Sequence, residues 1–312
     1  CNYNSEANWD DGSCEYPSGC DSACGSTLEI DECGVCGGPG AIYECGCEDI
    51  VDLYPGFSAN QHHISVGYNH SLALTASGEV VAWGRNEQGS NNIPPLSDVV
   101  AVAAGSASSL ALTASGEVVA WGWNNYGQTD VPDNLSDVVA IAAVRNHSLA
   151  LTESGEVVAW GNNGNGETDI PDNLSDVVAI AAGFNHSLAL TASGEVVAWG
   201  WNAYGQTDIS DNLTDVVAIA GGYNHSLALT ASGEVIAWGR NNYFQTNIPD
   251  NLSDVVAIAA GESHSLALTA SGEVVAWGWN YSGQTDIPNN LTDVVAVTAG
   301  ASHSLALTAS GE

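Results

Sequence analysis

The chain has 312 residues, with 37 acidic residues against three arginines and no lysine, and its formal net charge at pH 7 is −34. Nucleic acids and anionic membranes require a basic protein surface, so we expect no nucleic-acid partner and no membrane insertion. No apolar run reaches the roughly 18 residues that a membrane-spanning helix needs. The sequence contains no methionine, which favours a mature product or an internal fragment.

Residues 1–48 form a Cys-rich segment that contains all the cysteines of the chain. These are Cys1, Cys14, Cys20, Cys24, Cys33, Cys36, Cys45 and Cys47. An even number of closely spaced cysteines among Gly, Ser, Asp and Asn predicts disulfides in place of a hydrophobic core. Their pairing is left open. Because disulfides persist in oxidising compartments, we expect an extracellular or cell-surface protein.

Two metal-binding alternatives stay open for this segment. Cys33 and Cys36 have the spacing of a zinc-binding pair, but a second such pair and a nearby histidine are both missing. Asp10, Asp11 and Asp31 could contact calcium, although no DxDxDG loop is present. We therefore favour disulfides and expect no cofactor.

Residues 49–61 form a junction. Asp49–Tyr54 alternates in part between polar and apolar residues and could form one short strand. Pro55 and Gly56 then end it.

Residues 62–312 repeat one pattern about every 39 residues. The copies of its central strand begin at His70, Ser108, His147, His186, His225, His264 and His303. A period near 40 residues indicates a repeat architecture.

One copy predicts an all-β unit. Val177–Ala182 is a short apolar run typical of a buried strand, and Ser187–Thr191 alternates with its leucines on one face. Ala192–Gly194 predicts a hairpin turn before a third strand at Val196–Trp199. Thr207–Ile209 could add a short outer strand. No segment has a helical period.

Such a unit can bury its sheet faces only against neighbouring copies. Radial stacking achieves this, so we predict an all-β, seven-bladed β-propeller, with an open β-solenoid as the second choice. The last copy stops at Gly311 and Glu312, before its third strand. We therefore expect an incomplete last blade, to which Asp49–Tyr54 could supply one strand.

The repeat motif G-x-x-H-S-L-A-L-T-x-x-G-x-V-x-A-W-G-x-N-x-x-G-Q resembles the regulator-of-chromosome-condensation repeat, which implies a seven-bladed propeller. The stretch Trp121–Pro132 is similar to bacterial secreted members, one of which inhibits β-lactamases by docking one face on the enzyme. The patterns CxYxxxAxxDDGSCxY at Cys1–Tyr16 and DxCGVCGG at Asp31–Gly38 resemble Cys-rich segments of secreted bacterial proteins. The exchange activity of the eukaryotic founder depends on an inserted wedge, which this sequence lacks, so we do not expect it here.

Most recurring side chains are interpreted as scaffold. The recurring histidines are predicted to hydrogen-bond the turn within their own blade, and His62–His63 is an unrepeated pair with no assigned role. The tryptophans of the third strands are predicted to form the core between blades. They are Trp83, Trp121, Trp160, Trp199, Trp238 and Trp277.

The loops after the third strands carry residues that differ between copies. Equivalent loops of a propeller gather on one face, and Trp, Tyr and Arg dominate the centres of protein interfaces. Phe244 lies beside these residues. We therefore predict a binding site formed by Arg85, Trp123, Tyr126, Trp201, Tyr204, Arg240, Tyr243, Trp279 and Tyr281.

Carboxylates also recur, as Glu195 after the hairpin turn and Asp176 before the first strand of one copy. Pairs of carboxylates can act as acid and base, but residues repeated in every copy are typical of turns. No unique catalytic set is found. We therefore predict a non-catalytic extracellular propeller that binds a protein of unknown identity. The alternatives are a carbohydrate-binding module that uses Trp123, Trp201 and Trp279, and then a polysaccharide-active enzyme.

Overall fold

The computed structural model describes residues 64–209 and 213–311. These residues form seven antiparallel sheets and contain no helix. Six sheets have three strands, and the last has two within the described residues. The predicted Cys-rich segment with its disulfide or metal alternatives, the junction 49–61 and His62–His63 lie outside the described residues. No helix that could span a membrane occurs in the described part of the chain.

Each of the first six sheets contains an inner, a middle and an outer strand in chain order, and the described part of the last sheet contains an inner and a middle strand. The inner strands are β1 (Ile64–Val66), β4 (Val99–Ala104), β7 (Val138–Ala143), β10 (Val177–Ala182), β13 (Val216–Gly221), β16 (Val255–Ala260) and β19 (Val294–Ala299). The middle strands are β2 (His70–Leu74), β5 (Ser108–Thr113), β8 (His147–Thr152), β11 (His186–Thr191), β14 (His225–Thr230), β17 (His264–Thr269) and β20 (Ser304–Thr308). The outer strands are β3 (Val80–Gly84), β6 (Val118–Gly122), β9 (Val157–Gly161), β12 (Val196–Gly200), β15 (Val235–Gly239) and β18 (Val274–Gly278).

The fourth sheet shows how one repeat folds. In its register, Leu188 of β11 lies opposite Ala181 of β10 and Ala198 of β12. Leu188 is fully buried, as the alternation of the middle strand predicts. The hairpin between β11 and β12 closes through Gly194, whose φ of 80° is a left-handed conformation that glycine adopts without steric cost.

The predicted short strand at Thr207–Ile209 is wrong, because this segment is a loop. Its backbone donors are used within the loop. The Asp208 N–H donates to the Gly205 carbonyl, and the Thr207 N–H donates to the side chain of Asn202. The segment is therefore held as a turn, while Ile209 packs against the core between the fourth and fifth sheets.

The seven sheets close into a ring, which confirms the propeller and excludes an open solenoid. Each inner strand contacts the inner strands of both neighbouring sheets, and β1 contacts β19. The Ser71 hydroxyl also lies 3.4 Å from Nε2 of His303, which joins the first sheet to the last. The incomplete last blade stays a prediction, because residues 49–61 and Glu312 lie outside the described residues.

The hydrophobic core consists of layers between neighbouring sheets. In one layer, Leu149 and Leu151 of the third sheet pack with Ala189 and Trp199 of the fourth. Near the axis the inner strands are rich in alanine and line a channel of about 170 Å³. Small side chains fit there because the sheets converge towards the axis. This arrangement fixes where the loops of every repeat emerge.

Candidate functional site

Two sets of loops, the turns between inner and middle strands and the loops that follow the outer strands, emerge on the same side of the ring. In the fourth sheet, the turn Gly183–Asn185 joins β10 to β11, and the loop that follows β12 begins at Trp201. The Trp201 N–H donates to the Asn185 carbonyl at 2.8 Å, so the two loops lie side by side. We call this side the loop face. The opposite side, which carries the hairpin at Ala192–Gly194, is the turn face.

The loops after the outer strands, called the outer loops here, share one polar frame. In the fourth sheet the Asn202 amide donates to Asp208 at 2.6 Å, and its oxygen accepts from the Thr207 N–H at 3.0 Å. The Gln206 side chain is fully buried and accepts from the Tyr204 N–H at 3.0 Å. Equivalent bonds hold the outer loop of the second sheet. The backbone of the loops is thus set before any partner binds, which lowers the entropy cost of binding.

Three neighbouring outer loops bring most of the predicted site residues together. Trp201 and Tyr204 have ring centroids 6.2 Å apart. The guanidinium carbon of Arg240 lies 5.1 Å from the centroid of Tyr204 and 5.5 Å from that of Tyr243. These contacts link the fourth sheet to the fifth.

The same row continues onto the sixth sheet. Tyr243 stacks on Trp279 with centroids 5.2 Å apart, and Trp279 stacks on Tyr281 at 6.3 Å. We call the continuous set Trp201, Tyr204, Arg240, Tyr243, Trp279 and Tyr281 the aromatic row. Its tyrosines are exposed, and Tyr281 is the most exposed at 87%.

The other predicted residues do not join this row. Trp123 and Tyr126 form a separate edge-to-face pair at 5.5 Å. Between this pair and the aromatic row stands the outer loop of the third sheet, which has Asn162 at the position of the tryptophans. Arg85 forms an ion pair with Glu87 at 2.6 Å. Phe244, beside the row, is 66% exposed.

A second set of variable residues on the loop face escaped the sequence prediction. It lies at the centre of the ring, in the turns between inner and middle strands, which we call the inner turns. It comprises the second residue of each inner turn. These mouth residues are Tyr68, Ser106, Arg145, Phe184, Tyr223, Glu262 and Ala301. The signal that could have revealed them is that this position differs in almost every copy although its neighbours recur.

The mouth residues are anchored from blade to blade. The Phe184 N–H donates to the Gly222 carbonyl, the Tyr223 N–H to that of Gly261, and the Glu262 N–H to that of Gly300, at 3.0 to 3.1 Å. The backbone of these three mouth residues is therefore held by the next repeat. Together with the ends of the inner strands, most mouth residues line a cavity of about 70 Å³ at the axis.

Three of the mouth residues stack in sequence. The rings of Phe184 and Tyr223 lie 3.5 Å apart and nearly parallel, with an interplanar angle of 23°. The guanidinium carbon of Arg145 lies 3.9 Å from the centroid of Phe184. A cation above an aromatic face is attracted by the ring quadrupole, so the stack fixes the position of Arg145.

The electrostatics of the mouth link it to the aromatic row. Burial raises the pKa of the Tyr223 hydroxyl, while Arg145 and Arg240 oppose the rise and Glu262 and Tyr68 add to it. Burial also raises the pKa of the Glu262 carboxyl, and Arg240 opposes this rise. Arg240, which belongs to the row, is therefore within electrostatic range of two mouth residues.

The recurring histidines belong to the scaffold, but their partner is not the one predicted. Their Nε2 atoms lie 2.9 to 3.4 Å from a serine hydroxyl of the next repeat and not from the turn of their own blade. One such serine, Ser187, donates its hydroxyl to the Glu167 carbonyl, so the Nε2 atom of His147 must be the donor. Each histidine thus joins two blades. Ser108 replaces it in the second sheet.

Burial keeps these histidines neutral. It lowers the pKa of His147 to about 4 and that of His186 to about 3. Because the charged imidazolium cannot be solvated in this layer, the rings are suited to hydrogen bonding between blades and not to proton transfer at neutral pH.

The tryptophans of the outer strands form the core between blades, as predicted, except at Trp83. Trp121, Trp160, Trp199 and Trp277 are buried, and Trp238 is nearly so. Their indole N–H groups donate to a loop carbonyl of the preceding sheet. Trp83 is 43% exposed. The sheet that precedes it in the ring is the last one, in which only two strands are described.

The recurring acidic residues lie on the turn face, where their backbone helps to hold the hairpins. Asp176 has a left-handed φ of 54°, and its carbonyl accepts from the Ala192 N–H at 2.8 Å. Aspartate tolerates this conformation better than most residues. Among the described residues no group of three or more His, Cys, Asp or Glu side chains could hold a metal ion.

A closed ring of repeated antiparallel sheets, with variable side chains on one face, defines a repeat β-propeller. The sequence model of the RCC1-like domain matches residues 95–312, and that of the regulator of chromosome condensation (RCC1) repeat matches residues 62–90. The chain therefore belongs to the RCC1-like domain family. No match is found among curated proteins.

Solved structures share this fold. Prp20p from Saccharomyces cerevisiae is 25% identical, with a TM-score of 0.68 over 78% of this chain and 81% of that chain. Its study reports binding properties to Gsp1p and histones. Yeast RCC1 (Prp20) bound to Kap60 is 24% identical, with a TM-score of 0.67 over 78% of this chain and 79% of that chain. Human WBSCR16 is 24% identical, with a TM-score of 0.64 over 78% of this chain and 85% of that chain.

Proposed function

We propose that the chain is a non-catalytic propeller that binds a protein partner, outside the cell or at its surface, through the loop face. The observation that carries the proposal is the aromatic row, which spans the outer loops of three neighbouring blades. Tyrosine, tryptophan and arginine supply most of the binding energy at protein interfaces. The binding of proteins by the Prp20 propellers supports the same class of function.

The polar frame of the outer loops also supports a binding role. Because Asn202, Gln206 and Asp208 fix the loop backbone, the exposed side chains are presented with little freedom left to lose. A rigid aromatic surface is expected to bind with a smaller entropy cost than a mobile one.

The carbohydrate-binding alternative is weaker at one of its three tryptophans. Sugar rings stack on a free indole face, whereas Tyr243 and Tyr281 both stack against Trp279, with interplanar angles of 22° and 21°. Trp123 meets Tyr126 edge to face, so its pair is the better candidate for a sugar.

The repeats themselves provide matched variants for the test. In the loop-face variant, Trp201, Arg240 and Trp279 are each changed to Asn, the residue at the equivalent position 162. In the turn-face variant, Glu153 is changed to Ala, which occupies that position in the other copies, for example at Ala192. Both variants keep residues that this scaffold already accepts.

Wild-type chain and both variants are screened in parallel against a glycan array and a display library of folded protein fragments. We expect the wild type and the turn-face variant to retain the same protein fragments and the loop-face variant to lose them. Binding of glycans alone would favour the alternative function. Fragments that bind the loop-face variant as well as the wild type would overturn the proposal.

A further inference from the structure

One residue of the loop face has a backbone conformation that its side chain disfavours. Phe244 has a left-handed φ of 65°. The equivalent position in the other five outer loops that the structure describes is glycine, with φ between 77° and 82°. These glycines are Gly89, Gly127, Gly166, Gly205 and Gly283. Glycine adopts this conformation without steric cost, whereas a side chain as bulky as that of phenylalanine is strained there.

Packing within the chain does not account for Phe244. Its side chain is 66% exposed, and its ring makes no aromatic or cation contact among the described residues. The backbone is nevertheless held in place, because the Phe244 N–H donates to the Asn241 carbonyl at 3.3 Å and the Phe244 carbonyl accepts from the Asn247 N–H at 3.1 Å. Backbone strain that the surrounding structure maintains concentrates at functional sites.

The outer loop of the fifth sheet also differs from the others in charge. Residues 240–247 include no acidic residue, whereas each equivalent stretch of the other described outer loops includes at least one. Asn247 occupies the position of Asp208, and it accepts from the Asn241 amide at 2.7 Å as Asp208 does from that of Asn202. The loop thus keeps its polar frame without the carboxylate. Because burying an unpaired charge is costly, a partner can cover this loop more easily than the others.

Phe244 belongs to the middle one of the three outer loops that carry the aromatic row. Tyr243, the residue before it, stacks on Trp279 of the sixth sheet. On the other side of the loop, Arg240 lies over Tyr204 of the fourth sheet. The residues that dominate binding cluster near the centre of an interface and are surrounded by contacts that exclude water. The two flanking loops are placed to provide such contacts.

We propose that Phe244 is the residue of the loop face that inserts into an apolar pocket on the partner protein. A phenyl ring has no hydrogen-bonding group, so its burial against apolar side chains supplies the binding energy. The net charge of −34 repels an acidic partner, so the surface around the pocket is neutral or basic. This inference rests on the proposed function, since it names the anchoring residue of the same face.

The repeats provide the variant that separates binding from folding. Phe244→Gly introduces the residue of the equivalent Gly205 and Gly283, and it removes both the ring and the steric cost. Phe244→Leu keeps an apolar side chain on the same strained backbone, and Glu153→Ala on the turn face is the control. The probe is the tightest-binding protein fragment from the display screen that the wild-type chain retains and the loop-face variant loses. Its dissociation constant is measured for each variant, together with the thermal midpoint of each variant alone.

We expect Phe244→Gly to weaken binding of the fragment at least about tenfold. Its thermal midpoint should equal that of the wild type or exceed it by up to about 3 °C, because the strain is relieved. Phe244→Leu should weaken binding only about threefold, since the pocket still receives an apolar side chain. Glu153→Ala should leave binding unchanged. A scaffold residue would behave differently, since its truncation lowers stability.

The chain has only three phenylalanines, so the ring can also be observed directly by NMR. In a chain labelled on the phenylalanine rings, the signal of Phe244 is the one that is missing from the Phe244→Gly spectrum. We expect the fragment to shift this signal.

Three results would each overturn the anchoring role: unchanged affinity of Phe244→Gly, a thermal midpoint of that variant below that of the wild type, or an unmoved Phe244 signal in the complex. Equal weakening by Phe244→Leu and Phe244→Gly would overturn the apolar pocket. In all these cases the proposed function stands, because the loop-face variant still loses the fragment. If the screen yields no fragment that the loop-face variant loses, the proposed function itself fails.

Discussion

The two faces of the propeller are made by the same repeats, yet the residues of one face vary far more than those of the other. On the turn face the backbone requires particular residues, such as Gly194 with a φ of 80° and Asp176 with a φ of 54°. On the loop face the residues that recur are buried residues of the polar frame, such as Gln206. The exposed residues at the tips of the loops differ between copies. Side chains that do not support the backbone conformation are free to vary, and these side chains can form a recognition surface.

The largest expected effect concerns the scaffold that supports both faces, and it appears on acidification. Burial lowers the pKa of His147 from 6.5 to about 4, so the folded state binds fewer protons than the unfolded state below pH 6.5. Stability is therefore complete above this pH and falls as the pH drops towards 4. The loss amounts to roughly 3 kcal/mol for one fully buried histidine.

This expectation is checked by urea denaturation of the full chain at several pH values between 7.5 and 4.5. His147→Ser provides the matched variant, because Ser108 occupies the equivalent position. It should lower stability at pH 7.5 and reduce the slope of stability against pH. A slope equal to that of the wild type would contradict the role assigned to the buried rings.

A smaller effect sharpens the distinction between the faces. Asp176 holds a left-handed backbone on the turn face, which a β-branched residue adopts with difficulty. Asp176→Val should cost about 1–2 kcal/mol, whereas Asp176→Asn should leave the free energy of unfolding nearly unchanged. The urea midpoints of the two variants measure this. If Asn is as harmful as Val, the carboxylate and not the backbone conformation matters there.

The smallest expected effect on stability lies on the loop face. Arg240→Asn removes the contacts with Tyr204 and Tyr243, which are worth about 0.5–1 kcal/mol at a partly exposed site. It also removes a buried donor that has no described partner, so the net change should be small. Thermal unfolding tests this. A loss as large as that of a buried histidine would identify Arg240 as scaffold instead of as part of a binding surface.

Much of the fold could be predicted from the sequence because each strand follows from a local pattern of residues within one repeat. The apolar run Val177–Ala182 and the alternation of Ser187–Thr191 became strands as expected. Thr207–Ile209 did not, because the side chain of Asn202 captures its backbone. A strand pattern of three residues cannot reveal such a competing contact.

The candidate site was harder to predict, because it depends on contacts between repeats. The outer loops were identified as variable, but the sequence could not show that Arg240 joins Tyr204 to Tyr243. The mouth residues were missed because Phe184 and Tyr223 are separated by one whole repeat in the sequence and meet only when neighbouring blades pack together. The same packing directs each histidine to the serine of the next blade.

The most direct test of a loop face specialised for recognition is a hydrogen-exchange footprint. The full chain is compared free and bound to the tightest protein fragment from the display screen. We predict protection in the outer loops 201–209, 240–247 and 279–286 and in the inner turns at Phe184 and Tyr223, with the hairpin Ala192–Gly194 and its equivalents unchanged. Protection confined to the turn-face hairpins would contradict the account.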